Sequence, residues 1–379
     1  MTAPKNRYDL AELAGAFGDL GTLIPFVAAY ISVVKMDPAG ILLAFGSMMV
    51  IVGLVYRTPF PVQPMKAIGA AAITQTGALA SLTAATVMGA GIVTGLIWLL
   101  LAATGMARRL TRWVPKAALL GVVMGLGFSF MLEGTRMMAQ SPWLGAALLA
   151  ATLVLLARSR IPAMLVLLVV GGLVAVLEQP ALLSELSAIR VAPRLPSFAW
   201  PGLTLDDLWI GAIFLALPQL PLTFGNALIA ITEENNRLFP DRPVTERRVA
   251  FSTGLMNLWS SAIGGIPMCH GAGGMAGHVQ FGARTGGATV MLGALLLAMG
   301  LLLADSVALI FRLFPPAVLG VILFLAGVQL ALASKDVGGE KIERFVVLAT
   351  AALAVWNVGI AVVFGILAFH AAKRGWIGV

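Results

Sequence analysis

The sequence predicts an all-α protein that crosses a membrane many times. Three observations lead there: the scarcity of charge, long apolar runs that do not alternate, and motif pairs that recur half a chain apart. Of the 379 residues, 59% are hydrophobic and 11% charged, and the mean hydropathy is +0.96. A soluble domain carries about 25% charged residues, so lipid is the solvent for most of this chain. Only helices and closed barrels satisfy their backbone groups in lipid. Barrel strands alternate apolar and polar residues; runs such as Ala163 to Leu177 and Met291 to Leu303 do not. The net charge of +8 then reads as basic loops rather than a nucleic-acid footprint. The single cysteine, Cys269, excludes an intramolecular disulfide and a multi-cysteine metal site. No metal or cofactor is expected. Met1 to Asp9 is polar and lacks a signal-peptide pattern.

Fourteen spans are predicted, near 10–34, 39–56, 63–79, 84–106, 115–133, 143–157, 161–178, 207–232, 249–264, 269–281, 287–309, 315–333, 345–355 and 357–372. The longest polar connector, 179–206, separates a first half, 1–178, from a second, 207–379. Arg112-Trp113-Val114-Pro115-Lys116-Ala117 finds its counterpart in Arg312-Leu313-Phe314-Pro315-Pro316-Ala317. Pro61-Val62-Gln63-Pro64-Met65-Lys66 likewise pairs with Pro267-Met268-Cys269-His270-Gly271-Ala272. With seven spans per half, the second repeat enters the membrane upside down, a common plan of secondary transporters. Cytoplasmic loops concentrate Lys and Arg. With both termini inside, the inner segments hold most of the basic residues, including Arg57, Arg108, Arg109, Arg242, Arg247 and Arg248. The outer segments hold Lys35, Arg136, Arg190, Arg194 and Arg312.

The third span carries Lys66. A lysine in the bilayer costs roughly 2.5–3.5 kcal/mol on insertion scales. One reading is a snorkelling side chain near a helix end. The local sequence favours another. Pro61 and Pro64 lack N–H groups and keep the preceding residues extended. An extended lead-in to a short helix starting at Pro64 leaves that helix's N-terminus inside the membrane, where its dipole favours an anion. The tenth span mirrors this, with Ile266 to Cys269 extended and His270-Gly271-Ala272-Gly273-Gly274 opening a half-helix. Its glycines serve either close helix contact or close approach to a ligand. Two half-helix N-termini facing one another make a site of donors, which suits an ionised tetrahedral oxyanion.

Asp19 sits mid-span in Phe17-Gly18-Asp19-Leu20-Gly21-Thr22. Three accounts stand: it pairs with Lys66, it is protonated and couples protons to transport, or it caps a local break. His270 is the other proton-carrier candidate. Gln219 and Asn226 of the eighth span are candidate donors to substrate, with interhelical polar contact the alternative for Asn226. Arg284 reads as an interface anchor.

Gly18-Asp19-Leu20-Gly21-Thr22, Pro59 to Ala67, Leu217-Pro218-Gln219-Leu220-Pro221-Leu222-Thr223, Pro267 to Gly274 and Phe281 to Gly287 resemble the molybdate transporter family of plants, algae and bacteria, distant relatives of the sulfate permeases. The resemblance implies two inverted seven-span repeats with discontinuous third and tenth helices, a core domain of the first four spans of each repeat, and a gate domain of the last three. It implies elevator-like transport. It places Gln63, Lys66, Gln219, His270 and Gly271 at or near substrate, with Met65 and Cys269 in the same two motifs. Asp19, Thr22 and Asn226 are the polar residues for coupling or structure. The sequence departs from many sulfate permeases in ending at Val379, straight after its last span, so no C-terminal soluble regulatory domain is expected; the resemblance also suggests a homodimer.

The function expected is secondary, proton-coupled import of molybdate into a cell, most simply across a bacterial inner membrane with both termini in the cytoplasm. Sulfate transport by the same fold and an anion channel are the rivals. An intramembrane enzyme is disfavoured, since no nucleophile with an evident base and no metal-ligand pair at helical spacing stands out.

Overall fold

The computed structural model describes residues 5–69, 83–111, 114–158, 163–196, 202–332 and 340–376. Residues 70–79 of the third span, Arg112, Trp113, Arg160 and Lys335 lie outside the described residues.

The chain is helical where the apolar runs predicted it. Leu10–Ser32, Pro38–Tyr56, Ala84–Ala103 and Lys116–Met138 are long and apolar enough to cross a membrane, and two further spans are reached if bent helix pairs count as one each. The other apolar helices described have 16 or 17 residues, for example Pro142–Arg158, Pro316–Leu332 and Val358–Lys373. At 1.5 Å per residue, such a helix falls short of a bilayer core of about 30 Å. By length and apolarity the described helices therefore give four to six spans rather than the fourteen expected.

Two expected elements differ from what forms. The span placed at 287–309 ends at Leu302; after a break, Ala304–Phe311 runs off at 100°. The 179–206 connector is not all irregular: Ala181–Ser187 is a short helix set at 110° to Ala163–Glu178. Beyond it, the Ala192 and Arg194 N–H groups donate to the Leu302 and Leu301 carbonyls.

The two halves of the chain interleave. Pro38–Tyr56 packs on Gly287–Leu302, Ala84–Ala103 on Glu246–Ala262, and Lys116–Met138 on Pro316–Leu332. Glycines set these crossings: a Cβ on Gly46 would stand 2.7 Å from the Gly293 carbonyl oxygen, and one on Gly134 2.6 Å from that of Gly320. Backbones that approach so closely are typical of membrane helix pairs, where dispersion contact replaces the hydrophobic effect as the driving force.

Polar contacts sort to the two ends of the helices. At one end Arg194 bridges Asp37 (2.7 Å) and Asp305 (3.0 Å), and Arg312 meets Glu185 (2.5 Å). Hydrogen bonds to Asp37 hold the Arg194 guanidinium above its ordinary range. At the other end the N-terminal segment is stapled down. Asn6 donates to the Gly53 carbonyl, and the Arg7 N–H to Thr285 Oγ1. The fully buried Glu12 accepts from the Arg7 side chain and from the Arg284 and Thr285 N–H groups. Arg247 reaches the Ala102 carbonyl at the same end.

Candidate functional site

The site is built where two extended segments meet inside the helical body. Gln63–Pro64 and Met268–Cys269 pair antiparallel, Gln63 opposite Cys269 and Pro64 opposite Met268. The Met65 N–H donates to the Pro267 carbonyl at 2.9 Å, so the extended run reaches Met65 and the helix starts at Lys66 rather than at Pro64. Pro64 stands opposite Met268, whose own N–H and carbonyl are turned to Asn257, so the ribbon asks no N–H of it, and its fixed φ suits an extended segment as well as a first helical turn.

Extended backbone buried in an apolar interior must find partners. Asn257 supplies two of them: its Nδ2 donates to the Met268 carbonyl (2.7 Å) and its Oδ1 accepts from the Met268 N–H (3.0 Å). Ser260 bonds the Ile266 carbonyl and Thr289 the Phe60 carbonyl. His270 pins the two segments together. Its Nδ1 lies 2.8 Å from the Pro61 carbonyl and its Nε2 2.7 Å from Ser252 Oγ. A carbonyl only accepts, so Nδ1 carries a hydrogen, and in the neutral imidazole Nε2 then accepts from the serine. The imidazole stands edge-on to Phe60 at 4.8 Å.

Each extended segment turns into a helix whose N-terminus points into the interior. The eighth span caps both. Gln219 Oε1 accepts from the N–H groups of Ala67 (2.8 Å) and Ile68 (3.4 Å), while its Nε2 donates to Thr223 Oγ1. Asn226 Oδ1 accepts from the N–H of Ala272 at 3.3 Å, the first residue of the Ala272–Gln280 helix. The two amides lie seven residues apart on the same span. The span is wound wide on both sides of Leu217–Leu222, over Gly211–Ala216 and Thr223–Ala230. Pro218 and Pro221 lack the N–H groups a regular helix needs, and insertions of this kind gather at functional sites.

Around the two N-termini lies a buried polar cluster. Asp19 Oδ1 accepts from Thr22 Oγ1 (2.5 Å) and from Gln63 Nε2, and Gln63 also donates to Thr22 at 2.9 Å. Gln63 leans over Gly271, where an added Cβ would come within 1.7 Å of its Oε1. Asp19 Oδ2, Gln63 Oε1 and Lys66 Nζ are buried without a hydrogen-bond partner. Of the three accounts of Asp19, pairing with Lys66 is therefore not made here. Capping is not made either: a 3-10 turn does break the helix at Phe17–Asp19, but the Asp19 side chain caps nothing. Lys66 Nζ lies 3.7 Å from the centre of the Phe130 ring. Met65 and Cys269 are buried beside the ribbon. Arg284 closes the tenth helix through the Val279 and Ala283 carbonyls.

Two cavities reach Lys66. One, of about 290 Å³, is lined by Lys66, Ala67, Ser129, Phe130, Leu222 and residues 354–357. The other, of about 520 Å³, is lined by Thr22, Phe26, Lys66, Phe130, Glu133, Arg136 and Leu323, among others. The arrangement offers a cation, two helix N-termini and side-chain amides, and no metal-binding group of His, Cys, Asp or Glu occurs among the described residues.

The sequence profile described as "Molybdate transporter of MFS superfamily" matches residues 11–130 and 211–330. The chain belongs to the molybdate transporter family. It is 31% identical to "Molybdate transporter 2" of Arabidopsis thaliana over 94% of this chain and 85% of the relative. It is 30% identical to "Molybdate transporter 1" of Chlamydomonas reinhardtii over 94% and 90%. Among solved structures it is similar to the transmembrane domain of a cyanobacterial bicarbonate transporter, BicA (TM-score 0.59, 18% identity, 93% of this chain and 97% of that one). It is also similar to the murine anion transporter Slc26a9 in its inward-facing state (TM-score 0.59, 12% identity, 100% and 70%). These likenesses show the fold, and they place this molybdate transporter family member on the scaffold of those anion transporters although the profile's description names the MFS superfamily. The protein is an integral membrane protein.

The structure gathers Asp19, Thr22, Gln63, Lys66, Gln219, Asn226 and Gly271 into one place. Sequence reasoning missed Phe130 and Ser129, which face Lys66 from the fifth span. It also passed over two buried ionisable residues that fall within predicted spans, a position that alone was a signal. Glu12 is one. His278 is the other, with Nδ1 2.7 Å from the Gly15 carbonyl and a buried, unpartnered Nε2.

Proposed function

We propose that this protein is a secondary transporter that imports molybdate, bound beside Lys66 between the N-termini of the third and tenth helices. One observation carries the reading: a buried ammonium without a hydrogen-bond partner stands next to two inward-pointing helix N-termini and lines two cavities. A dianion supplies what that ammonium lacks. Gln63, Gln219 and Gly271 complete the shell, with Met65 and Cys269 as its apolar wall. His270, engaged on both nitrogens, positions the ribbon.

Elevator movement of a core carrying the half-helices against a gate of the last three spans of each repeat is part of this proposal. It is supported by the cavities' location between Lys66 and the Ser129–Phe130 and 354–357 surfaces. The inverted seven-plus-seven plan is supported by the two family-profile blocks, displaced by about 200 residues, as are the motif pairs. Both termini are placed in the cytoplasm, at the end where Arg57, Arg242 and Arg247 gather. Proton coupling is assigned to Asp19, whose Oδ2 is free to carry a proton.

Equilibrium binding of molybdate to the purified protein tests the site. Lys66→Ala is expected to weaken binding at least about tenfold, the loss of one charge-assisted contact of about 1.5–3 kcal/mol, with an unchanged gel-filtration profile. Wild-type affinity in that variant contradicts the assignment.

A further inference from the structure

We infer that Phe130 is a retractable placeholder: in the empty protein its ring occupies the anion position, and the oxyanion binds by displacing it. The inference rests on the proposed anion site and adds a residue from the opposite wall. On one side of the ring lies the Lys66 ammonium, 3.7 Å from the ring centre. On another lies Gly273, where a Cβ would come within 2.0 Å of Phe130 Cε2 and 2.5 Å of Cζ. Gly273 is the second residue of the Ala272–Gln280 helix. The ring therefore fills the gap between the cation and a helix N-terminus, the two groups that attract an anion most.

Ordinary core contact accounts for part of this, since the ring also touches Leu323 and Ala326. It does not account for a lysine side chain aimed at the ring with no polar partner. The face of an aromatic ring is electrostatically negative and attracts a cation, so the ring gives Lys66 what an oxyanion would give it, more weakly. The other donors are served in the same way: Gln219 holds the Ala67 and Ile68 N–H groups, and Asn226 holds that of Ala272. Each donor thus has a stand-in acceptor while the site is empty, which avoids the cost of leaving buried polar groups unmade. Phe130 belongs to Lys116–Met138, across the cavity from the half-helices, and borders both cavities. A relative movement of the two walls withdraws the ring and opens the position.

The test is equilibrium binding of radiolabelled molybdate, and separately sulfate, to wild type, Phe130→Leu and Phe130→Ala, with the thermal midpoint as the folding check. Phe130→Leu keeps apolar bulk and removes the ring face, so the competitor for Lys66 is lost. It is expected to bind molybdate about 2- to 30-fold more tightly, the fold-change corresponding to a cation–π attraction of about 0.5–2 kcal/mol. Phe130→Ala is expected to gain at least as much. If Phe130→Leu loses its folded transition, Phe130→Met, unbranched and more adaptable in shape, replaces it. Equal or weaker binding in a folded variant, with wild type binding normally, overturns the placeholder and leaves the anion site standing. No binding of either anion by wild type and variants overturns the site and the placeholder together.

Discussion

Lys66 was legible in the sequence because a charge inside a span is costly enough to require a reason. Phe130, which meets it, was not, because an aromatic residue in an apolar span is indistinguishable from lipid-facing or core residues until the fold brings it near a cation. His270 shows the opposite case. As a titratable group it stood out as a proton-carrier candidate, and the family resemblance put it near substrate; what the sequence did not show is that its two nitrogens meet the Pro61 carbonyl and Ser252. Gln63 was legible from its neighbours Pro61 and Pro64, but its reach to Asp19 and Thr22 spans more than forty residues and leaves no sequence trace. Two predictions belong to this scale. Asp19→Asn keeps an oxygen for the Thr22 hydroxyl and the Gln63 amide but holds the site neutral. Uptake by that variant is expected to lose its dependence on an imposed pH gradient while molybdate binding persists; an unchanged dependence removes Asp19 from coupling. Gly271→Ala drives a methyl group into Gln63, which overpacking makes worse by about 1–3 kcal/mol. Its thermal midpoint is expected to fall, and Gln63→Ala in the same chain to restore most of the loss.

The half-helices are the elements on which the account depends. Prolines in the third span and glycines in the tenth announced a helix beginning inside the membrane, and the structure has both, one residue pair of ribbon later than proline placement alone suggested. What stayed hidden was the capping. A glutamine and an asparagine in an apolar span mark a polar role, but which backbone groups they meet depends on the wide turns at Gly211–Ala216 and Thr223–Ala230. Such turns follow from prolines without being specified by them. Gln219→Leu removes the acceptor for Ala67 and Ile68. Loss of a helix N-cap costs about 0.5–2 kcal/mol, so the variant is expected to melt earlier than wild type. Saturating molybdate should restore much of that loss if the anion takes over the same N–H groups. A melting loss that molybdate leaves untouched would separate the cap from the binding site.

At the scale of the whole molecule, composition announced the membrane, and the spacing of motifs is the sequence's argument for two repeats. The interleaving of those halves was not readable, since periodicity within a helix says which face is apolar and not which partner it meets. The single cysteine, buried in the ribbon, makes topology testable. Lys5→Cys and Trp376→Cys should both resist a membrane-impermeant thiol reagent in intact cells and react after permeabilisation, whereas Arg190→Cys should react at once. Opposite behaviour of the two termini contradicts an even number of spans. The most direct test of the central claim is uptake by purified protein in proteoliposomes, with trace molybdate and with tungstate or sulfate in excess, for wild type and Lys66→Ala. The account predicts saturable molybdate uptake in wild type, abolished by tungstate, little affected by equal sulfate, and lost in Lys66→Ala. Molybdate that does not enter, or enters equally well without Lys66, contradicts it.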